Sequence, residues 1–293
     1  MENLIFYETE RKSKRVKTFK RLLMMMAAIM MALVTFSSCN EDDDPNKDPD
    51  EIENGGEEKP GQISGMGNNT GKIDGKAFVL PDGIVFDGDL SGIEWESLSN
   101  TYQMSLIVDK SEKKSALYSI LTNEVTTRSI KELFNYKYDM FGSGLNVNIL
   151  IPLKNNTSRQ INVEFPALLT FESSNSKYQH GILLKKVIVS VPANTTYRIV
   201  LQLYCCNKDR DMPDSSTKFL KPVVSNSKQL LYLSNLVKNK RINVEEVETM
   251  EQWSEYVTIA TALQEMVWKV TDYGKELDNA DLAYIASLPE SRQ

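Results

Sequence analysis

The stretch TYRIVLQLYC, residues 196–205, decides the fold. In an extended chain every second side chain lies on the same side, so the apolar and the more polar positions of this stretch separate onto two faces. The apolar face consists of Tyr197, Ile199, Leu201, Leu203 and Cys205, and the other face carries Arg198, Gln202 and Tyr204. This alternation predicts a β-strand with one face against the core and one face in solvent.

Two further segments have the same period of two. They are LNVNILIPL, residues 145–153, and INVEF, residues 161–165, and turn-forming residues separate them from the strands that follow. This spacing of short strands predicts an antiparallel β-sandwich, Ig-like in size, over residues 71–222.

The period becomes helical in residues 223–293. Ser225 or Ser227 can cap a first helix, a longer helix begins at about Glu248, and Asp278 can cap a short last helix. Strands followed by about three helices predict a single α+β domain over residues 71–293, with the helices covering one end of the sandwich.

The formal charge of -6 is unevenly distributed along the 293 residues. Residues 1–38 carry a net charge of +4, and residues 40–59 carry a net charge of -8. The chain beyond residue 59 is therefore nearly neutral and lacks the basic field that attracts nucleic acid, so we expect no nucleic-acid partner.

The N-terminus has the layout of a secretory signal. A basic stretch, residues 11–21, precedes an apolar stretch, residues 22–36. The apolar stretch is shorter than the roughly 20 residues that a membrane-spanning helix needs. We therefore predict that residues 1–38 are a signal peptide.

The sequence Phe36-Ser37-Ser38-Cys39 ends this segment and resembles the lipobox of bacterial lipoproteins. The acidic run Glu41-Asp42-Asp43-Asp44 that follows resembles the signal with which Bacteroidetes-type bacteria send lipoproteins to the outer face of the outer membrane. The resemblance implies that Cys39 becomes the first residue of the mature protein and carries a lipid such as palmitate. It also implies an outer-membrane protein that is anchored through this lipid and exposed at the cell surface.

Residues 39–70 then predict a spacer. They are rich in Asp, Glu, Gly, Pro and Asn and almost free of large apolar residues. Such a composition cannot bury enough apolar surface to fold, and like charges keep it extended. We predict a disordered acidic stalk behind the lipidated Cys39.

The two remaining cysteines, Cys205 and Cys206, are neighbours on the predicted strand and so point to opposite faces. The simplest interpretation is that Cys205 joins the apolar side, that Cys206 packs under the helices, and that Gln264 is a polar position on the long helix. Tyr204-Cys205 and the sequence LQEMVW, residues 263–268, are also similar to two short motifs of Gram-positive thioester-domain adhesins. That resemblance implies an internal thioester between Cys205 and Gln264 that host amines attack.

Three other features are candidates for binding. Asn207, Asp209 and Asp211 place oxygen atoms at alternate positions, as at the start of a calcium loop, although the glycine and glutamate of an EF-hand are missing. Trp95 is the candidate for an exposed ligand-binding aromatic residue. The only histidine, His180, is interpreted as a packing or surface residue.

These features favour a lipid-anchored, cell-surface, non-catalytic protein that binds a glycan or a protein partner. One alternative is a covalent thioester adhesin that uses Cys205 and Gln264. Another is a secreted hydrolase whose two carboxylates come together only in the fold. Cofactors are not expected, apart from calcium at the loop of Asn207.

Overall fold

The computed structural model of the protein describes residues 58–98 and 136–291. These residues form a largely antiparallel β-sheet structure followed by helices, which confirms the predicted α+β class. The predicted signal peptide, Cys39 and stalk residues 40–57 lie outside the described residues.

The described part of the chain contains eleven strands. In chain order they are β1 (Gly75–Ala77), β2 (Ile84–Phe86), β3 (Ser91–Gly92), β4 (Asp139–Gly142), β5 (Val147–Asn155), β6 (Ile161–Phe165), β7 (Leu169–Phe171), β8 (Gly181–Ile182), β9 (Val187–Val191), β10 (Thr195–Cys205) and β11 (Val223–Ser225). The strands predicted from residues 145–153, 161–165 and 196–205 correspond to β5, β6 and β10.

Strand β10 occupies the interior of the large sheet. Within the described ranges, nine strands form this sheet in the order β1-β11-β7-β8-β10-β5-β2, with β3 paired to β5 and β4 paired to β10. The β10–β5 ladder is antiparallel and runs from Thr195 opposite Asn155 to Leu203 opposite Val147. Strand β4 is parallel to β10. With eleven residues, β10 is paired along most of its length.

Strands β6 and β9 pair with each other and cover one face of the large sheet. Their inward side chains, such as Phe165 and Val189, share one apolar cluster with Ile149 of β5 and Leu201 of β10. Their outward side chains are polar or exposed, and Ile188 is 51% exposed. The alternation predicted for residues 161–165 is thus realised on this outer pair.

The helices cover the opposite face of the large sheet. They are the single-turn α1 (Trp95–Leu98), α2 (Lys228–Val237), α3 (Met250–Thr271) and α4 (Asn279–Ser287), with a 3-10 turn at Val244–Glu246. Helix α3 packs across β10, so that Val200, Gln202 and Tyr204 are fully buried. On the face predicted to be solvated, Arg198 is exposed, but Gln202 and Tyr204 are not, so the prediction of helices only at one end of the sandwich was wrong.

The three longer helices begin at polar side chains that accept hydrogen bonds from otherwise free backbone N–H groups. The caps are Ser227 for α2, Thr249 for α3 and Asp278 for α4. The helix starts predicted at Ser227 and Asp278 are confirmed, and the start predicted at about Glu248 is one residue from the observed cap.

Residues 58–70, which we call the strap, belong to the folded part and not to a stalk. Ile63 and Met66 are buried among the helices, with 4% and 0% of their surfaces exposed. The boundary predicted at residue 71 is therefore too late. The prediction failed because the average composition of this glycine-rich segment is polar, whereas two buried apolar residues are enough to dock it on the helices.

None of the helices in residues 58–98 and 136–291 combines the length and the apolar character needed to cross a membrane.

Candidate functional site

Strand β10 ends at Cys205, and Cys206 follows it directly. Cys205 belongs to the apolar cluster beneath β6 and β9, and Cys206 belongs to the cluster beneath the helices. Both residues are fully buried, and neither is in a disulfide. The predicted placement of the two side chains on opposite faces of the sheet is confirmed.

The side chain of Gln264, on α3, pairs with the main chain of Cys205. The Cys205 N–H donates to Gln264 Oε1 at 2.8 Å, and Gln264 Nε2 donates to the Cys205 carbonyl at 2.8 Å. The β10–β5 ladder ends two residues earlier, at Leu203 and Val147. The carboxamide therefore supplies the donor and the acceptor that a peptide group of a neighbouring strand would supply.

The structure thus brings Cys205 and Gln264 together, but through main-chain atoms. The Cys205 sulfur accepts a hydrogen bond from the Asn207 N–H at 3.2 Å. Burial raises the pKa of the Cys205 thiol to about 12 and also raises the pKa of Cys206 well above its usual value. Because the thiolate is the nucleophilic form of cysteine, both sulfurs are held as unreactive thiols at neutral pH.

Asn207, the first residue after the cysteines, connects three segments of the chain. Its Oδ1 accepts a hydrogen bond from the His180 N–H at 3.1 Å. Its Nδ2 donates to the carbonyl of Gly67 at 2.8 Å and lies 3.3 Å from the carbonyl of Gly65. Asn207 is 1% exposed, so these bonds satisfy a polar side chain that has lost its contact with water.

The three residues predicted to start a calcium loop have separate partners. Asn207 is used inside the fold, Asp209 accepts a hydrogen bond from Asn68 at 3.1 Å, and Asp211 forms an exposed ion pair with Lys177 at 3.3 Å. In the part of the chain that the structure describes, no group of three or more His, Cys, Asp or Glu side chains is placed to hold a metal ion. These contacts do not define a calcium site.

His180 precedes β8 and lies beside Asn207. We call the group formed by Cys205, Cys206, Asn207 and Gln264 the corner. Its Nδ1 accepts a hydrogen bond from the Ser173 N–H at 2.9 Å, and its Nε2 lies 2.7 Å from the guanidinium of Arg210. Burial, together with the positive charge of Arg210, lowers the pKa of His180 to about 3. The side chain is 4% exposed, which confirms the interpretation of His180 as a packing residue.

Lys208 forms the solvent side of the corner. Its ammonium group lies 4.6 Å from the ring centroid of Tyr273 and 5.4 Å from that of Trp268, so it interacts with both rings as a cation. Its backbone N–H donates to Asp272 at 2.8 Å. These contacts attach the loop after β10 to the end of α3.

Trp95 is not an exposed aromatic residue, so that prediction was wrong. It is 4% exposed, its Nε1 donates to the Leu145 carbonyl at 2.8 Å, and it packs with Met140 and Val200. An indole ring is large and apolar, and here its one polar atom finds a backbone acceptor, so burial is favourable.

A second polar contact between α3 and β10 was not predicted from the sequence. The Tyr256 hydroxyl donates to Gln202 Oε1 at 2.6 Å, and both residues are buried. Tyr256, Ala260 and Gln264 are four residues apart and so follow one face of the helix. The signal in the sequence was that Tyr256 and Gln264, two side chains with polar groups, share one helix face with Ala260.

The chain matches no protein-family model, and comparisons with curated proteins and with solved structures also found no match.

We expect Gln264→Met to destabilise the fold by about 2–5 kcal/mol. Methionine is similar in length to glutamine but leaves the buried N–H and C=O of Cys205 without partners. The free energy of unfolding can be measured with urea and tryptophan fluorescence. The matched control is Glu265→Met at the next, exposed position, where we expect a change within about 0.5 kcal/mol. Equal stabilities of the two variants would show that the carboxamide is not a structural tie.

The low pKa of His180 predicts an acid-dependent loss of stability. The unfolded chain binds a proton at this residue below about pH 6.5, whereas the folded chain does so only near pH 3. The protonation of His180 alone should therefore lower the free energy of unfolding of the parent by about 1.4 kcal/mol for each pH unit below about 6.5.

The comparison for this effect is His180→Asn, because the Asn Oδ1 can replace Nδ1 as the acceptor for Ser173. The difference in unfolding free energy between parent and variant should be constant above about pH 6.5 and should change steadily below it. Since His180 is the only histidine, no other imidazole contributes. A difference that stays constant down to pH 4 contradicts the neutral, buried imidazole.

Proposed function

We propose that the protein is a lipid-anchored, cell-surface binding protein of a Bacteroidetes-type bacterium, without catalytic activity, whose folded domain binds a glycan or a protein partner. The observation that carries this proposal is the arrangement of the N-terminal part. The domain begins by Glu58, and residues 40–57 between it and Cys39 contain nine acidic side chains and one lysine. A charged spacer of this length fits the display of a domain at a lipid surface.

The chemistry of the described corner supports binding rather than catalysis there. The thiols of Cys205 and Cys206 are buried and protonated. His180, with its pKa near 3, is a very weak base at neutral pH. The polar side chains of this corner are engaged in holding β10, α3 and the strap together, which gives a rigid domain of the kind that presents a binding surface.

We also propose that the β-rich part is a sandwich, Ig-like in size. The support is the apolar cluster in which Phe165 and Val189 of the β6–β9 pair meet Ile149 and Leu201 of the large sheet. In this proposal β6 and β9 form the second layer, shortened to two strands.

The anchor is tested by Cys39→Ala. We expect the parent to be in the outer-membrane fraction and to be removed from intact cells by added protease, and we expect the variant to leave the membrane fraction, because the proposal has no other anchor. Asn40→Ala is the matched control and should behave like the parent. A Cys39→Ala variant that still partitions into detergent like the parent would show that the lipoprotein proposal is wrong.

The binding part of the proposal is tested separately with the purified protein on a glycan array and by cross-linking on intact cells. Retention of the protein with the glycan chemically unchanged supports it. Release of cleaved sugar from the same array would instead favour the hydrolase alternative.

A second candidate function is a covalent thioester adhesin. One observation favours it, because the Gln264 side chain is hydrogen-bonded to the main chain of Cys205. The reaction would form a bond from the Cys205 sulfur to the Gln264 side-chain carbon. It would break the carbon–nitrogen bond of the amide, and the thiol proton would leave with the nitrogen as ammonia. Against this, the carboxamide has both of its polar atoms bonded to the main chain of Cys205.

Intact mass decides between the two candidates. We expect the parent mass to equal the sum of its residues, because the thiol is protonated and the amide is engaged. A mass that is lower by one ammonia in the parent and in Cys206→Ala, but not in Cys205→Ala, would instead establish the thioester.

A further inference from the structure

The strap is a compact loop that closes on itself. Asn69 Nδ2 donates to the carbonyl of Gly61 at 2.9 Å, which brings its two ends together. The Ser64 hydroxyl, in the middle of the strap, donates to the carbonyl of Lys72, just after the strap, at 2.7 Å. Such closure is the property of an Ω-loop, a compact surface loop whose two ends lie close together.

Two glycines let the strap lie directly on the end of α3. Gly61 has φ +75°, and a Cβ there would lie 2.7 Å from the Cα of Gly274. Gly67 has φ +58°, and a Cβ there would lie 2.2 Å from the Thr271 carbonyl oxygen. Each combination of positive φ and close approach requires glycine, so the strap is fitted to this surface.

The strap contacts the main chain of Cys206. The Gly67 N–H donates to the Cys206 carbonyl at 2.7 Å. Ile63 and Met66 of the strap share the apolar cluster of Cys206 together with residues of the helices. Cys205 lies in the other cluster, on the far face of the sheet. The apolar residues of the strap therefore share the cluster of one of the two cysteines and not that of the other.

The strap can also leave at a lower cost than β10. It contains no strand and no helix, and it lies at the N-terminal end of the described domain. It is held by the buried side chains of Ile63 and Met66 and by hydrogen bonds that join Glu58, Gly61, Gly65, Gly67 and Asn68 to residues beyond 200, none of which belongs to a ladder, whereas β10 is held by ladders along most of its length. Regions with few buried contacts and no ladder open at lower free energy than the core.

We propose that the strap is a hinged cover. It opens as a unit and uncovers the Cys206 sulfur while the sheet and helices stay folded. The device controls access to one thiol of an adjacent pair, because the sheet itself separates Cys205 from the opening. This function is independent of the lipid anchor and of the ligand of the domain.

The test is the native-state alkylation of the full chain with N-ethylmaleimide, followed by peptide mapping of each cysteine. The variant is Gly67→Ala, whose Cβ meets Thr271 and whose φ is unfavourable for alanine. The control is Gly88→Ala, which also has a positive φ of +127° but whose Cβ would meet only Pro152, at 3.9 Å. We expect the rate of Cys206 alkylation to rise at least about tenfold in Gly67→Ala and to stay within about twofold of the parent in Gly88→Ala.

The rate at Cys205 separates strap opening from general unfolding. We expect it to stay at the parent value in Gly67→Ala, because Cys205 lies on the other face of the sheet. An unchanged Cys206 rate overturns the proposal. Equal acceleration of Cys205 and Cys206 overturns it as well, because the whole domain would then be opening.

The parent protein provides an independent measurement should Gly67→Ala fail to fold. The alkylation rate of Cys206 can be followed against urea below the unfolding transition. We expect it to depend on urea more weakly than global unfolding does, because opening the strap exposes much less surface. A urea dependence equal to that of global unfolding contradicts a separate cover.

Discussion

The burial of residues 199–205 of β10 on both faces of the sheet is the constraint on which the rest of the structure depends. Leu201 and Leu203 face the β6–β9 pair, while Val200 and Tyr204 face the helices. A strand in this position needs a covering layer on each side and partners along its edges. The large sheet, the outer pair and α3 are the elements that meet these needs.

On a strand that is buried on both faces, any polar group without a hydrogen-bond partner is costly. The protein uses paired polar groups there to fix the position of α3. Gln264 is bonded to the Cys205 main chain and Tyr256 to Gln202, two turns of helix apart. Apolar packing alone tolerates small shifts of a helix along a sheet. Two buried hydrogen-bonded contacts do not, because any shift would leave buried donors and acceptors unpaired.

The sequence predicted those elements whose signal is local. The alternation in residues 161–165 and 196–205 is a property of each strand alone, and caps such as Ser227 and Asp278 act within one helical turn. The failures concern contacts between distant segments. The partner of Trp95 lies fifty residues away, and the partners of the strap lie at the other end of the domain. Nothing in the composition of a segment reveals such partners.

For the candidate site, the sequence predicted where the two cysteine side chains lie but not what the Gln264 side chain does. The opposite facing of Cys205 and Cys206 follows from the strand period, and it is observed. The role of Gln264 did not follow, because a helical period assigns a residue to a face but does not say which backbone groups on the facing strand lack partners. The ladder that leaves Cys205 open to Gln264 ends at Leu203 because β5 begins at Val147, 117 residues before Gln264 in the sequence.

The position of the strap in the chain also affects the order in which the protein assembles. The strap is synthesised before the sheet and helices, yet Gly67 bonds to Asn207, which is 140 residues further along. Closing so large a loop early costs entropy that no local contact repays, so the strap can dock only after β10 and α3 have formed its seat. The first part of the domain to be made is therefore the last to be ordered, and its hydrogen bond to the Cys206 carbonyl forms only when folding is nearly complete.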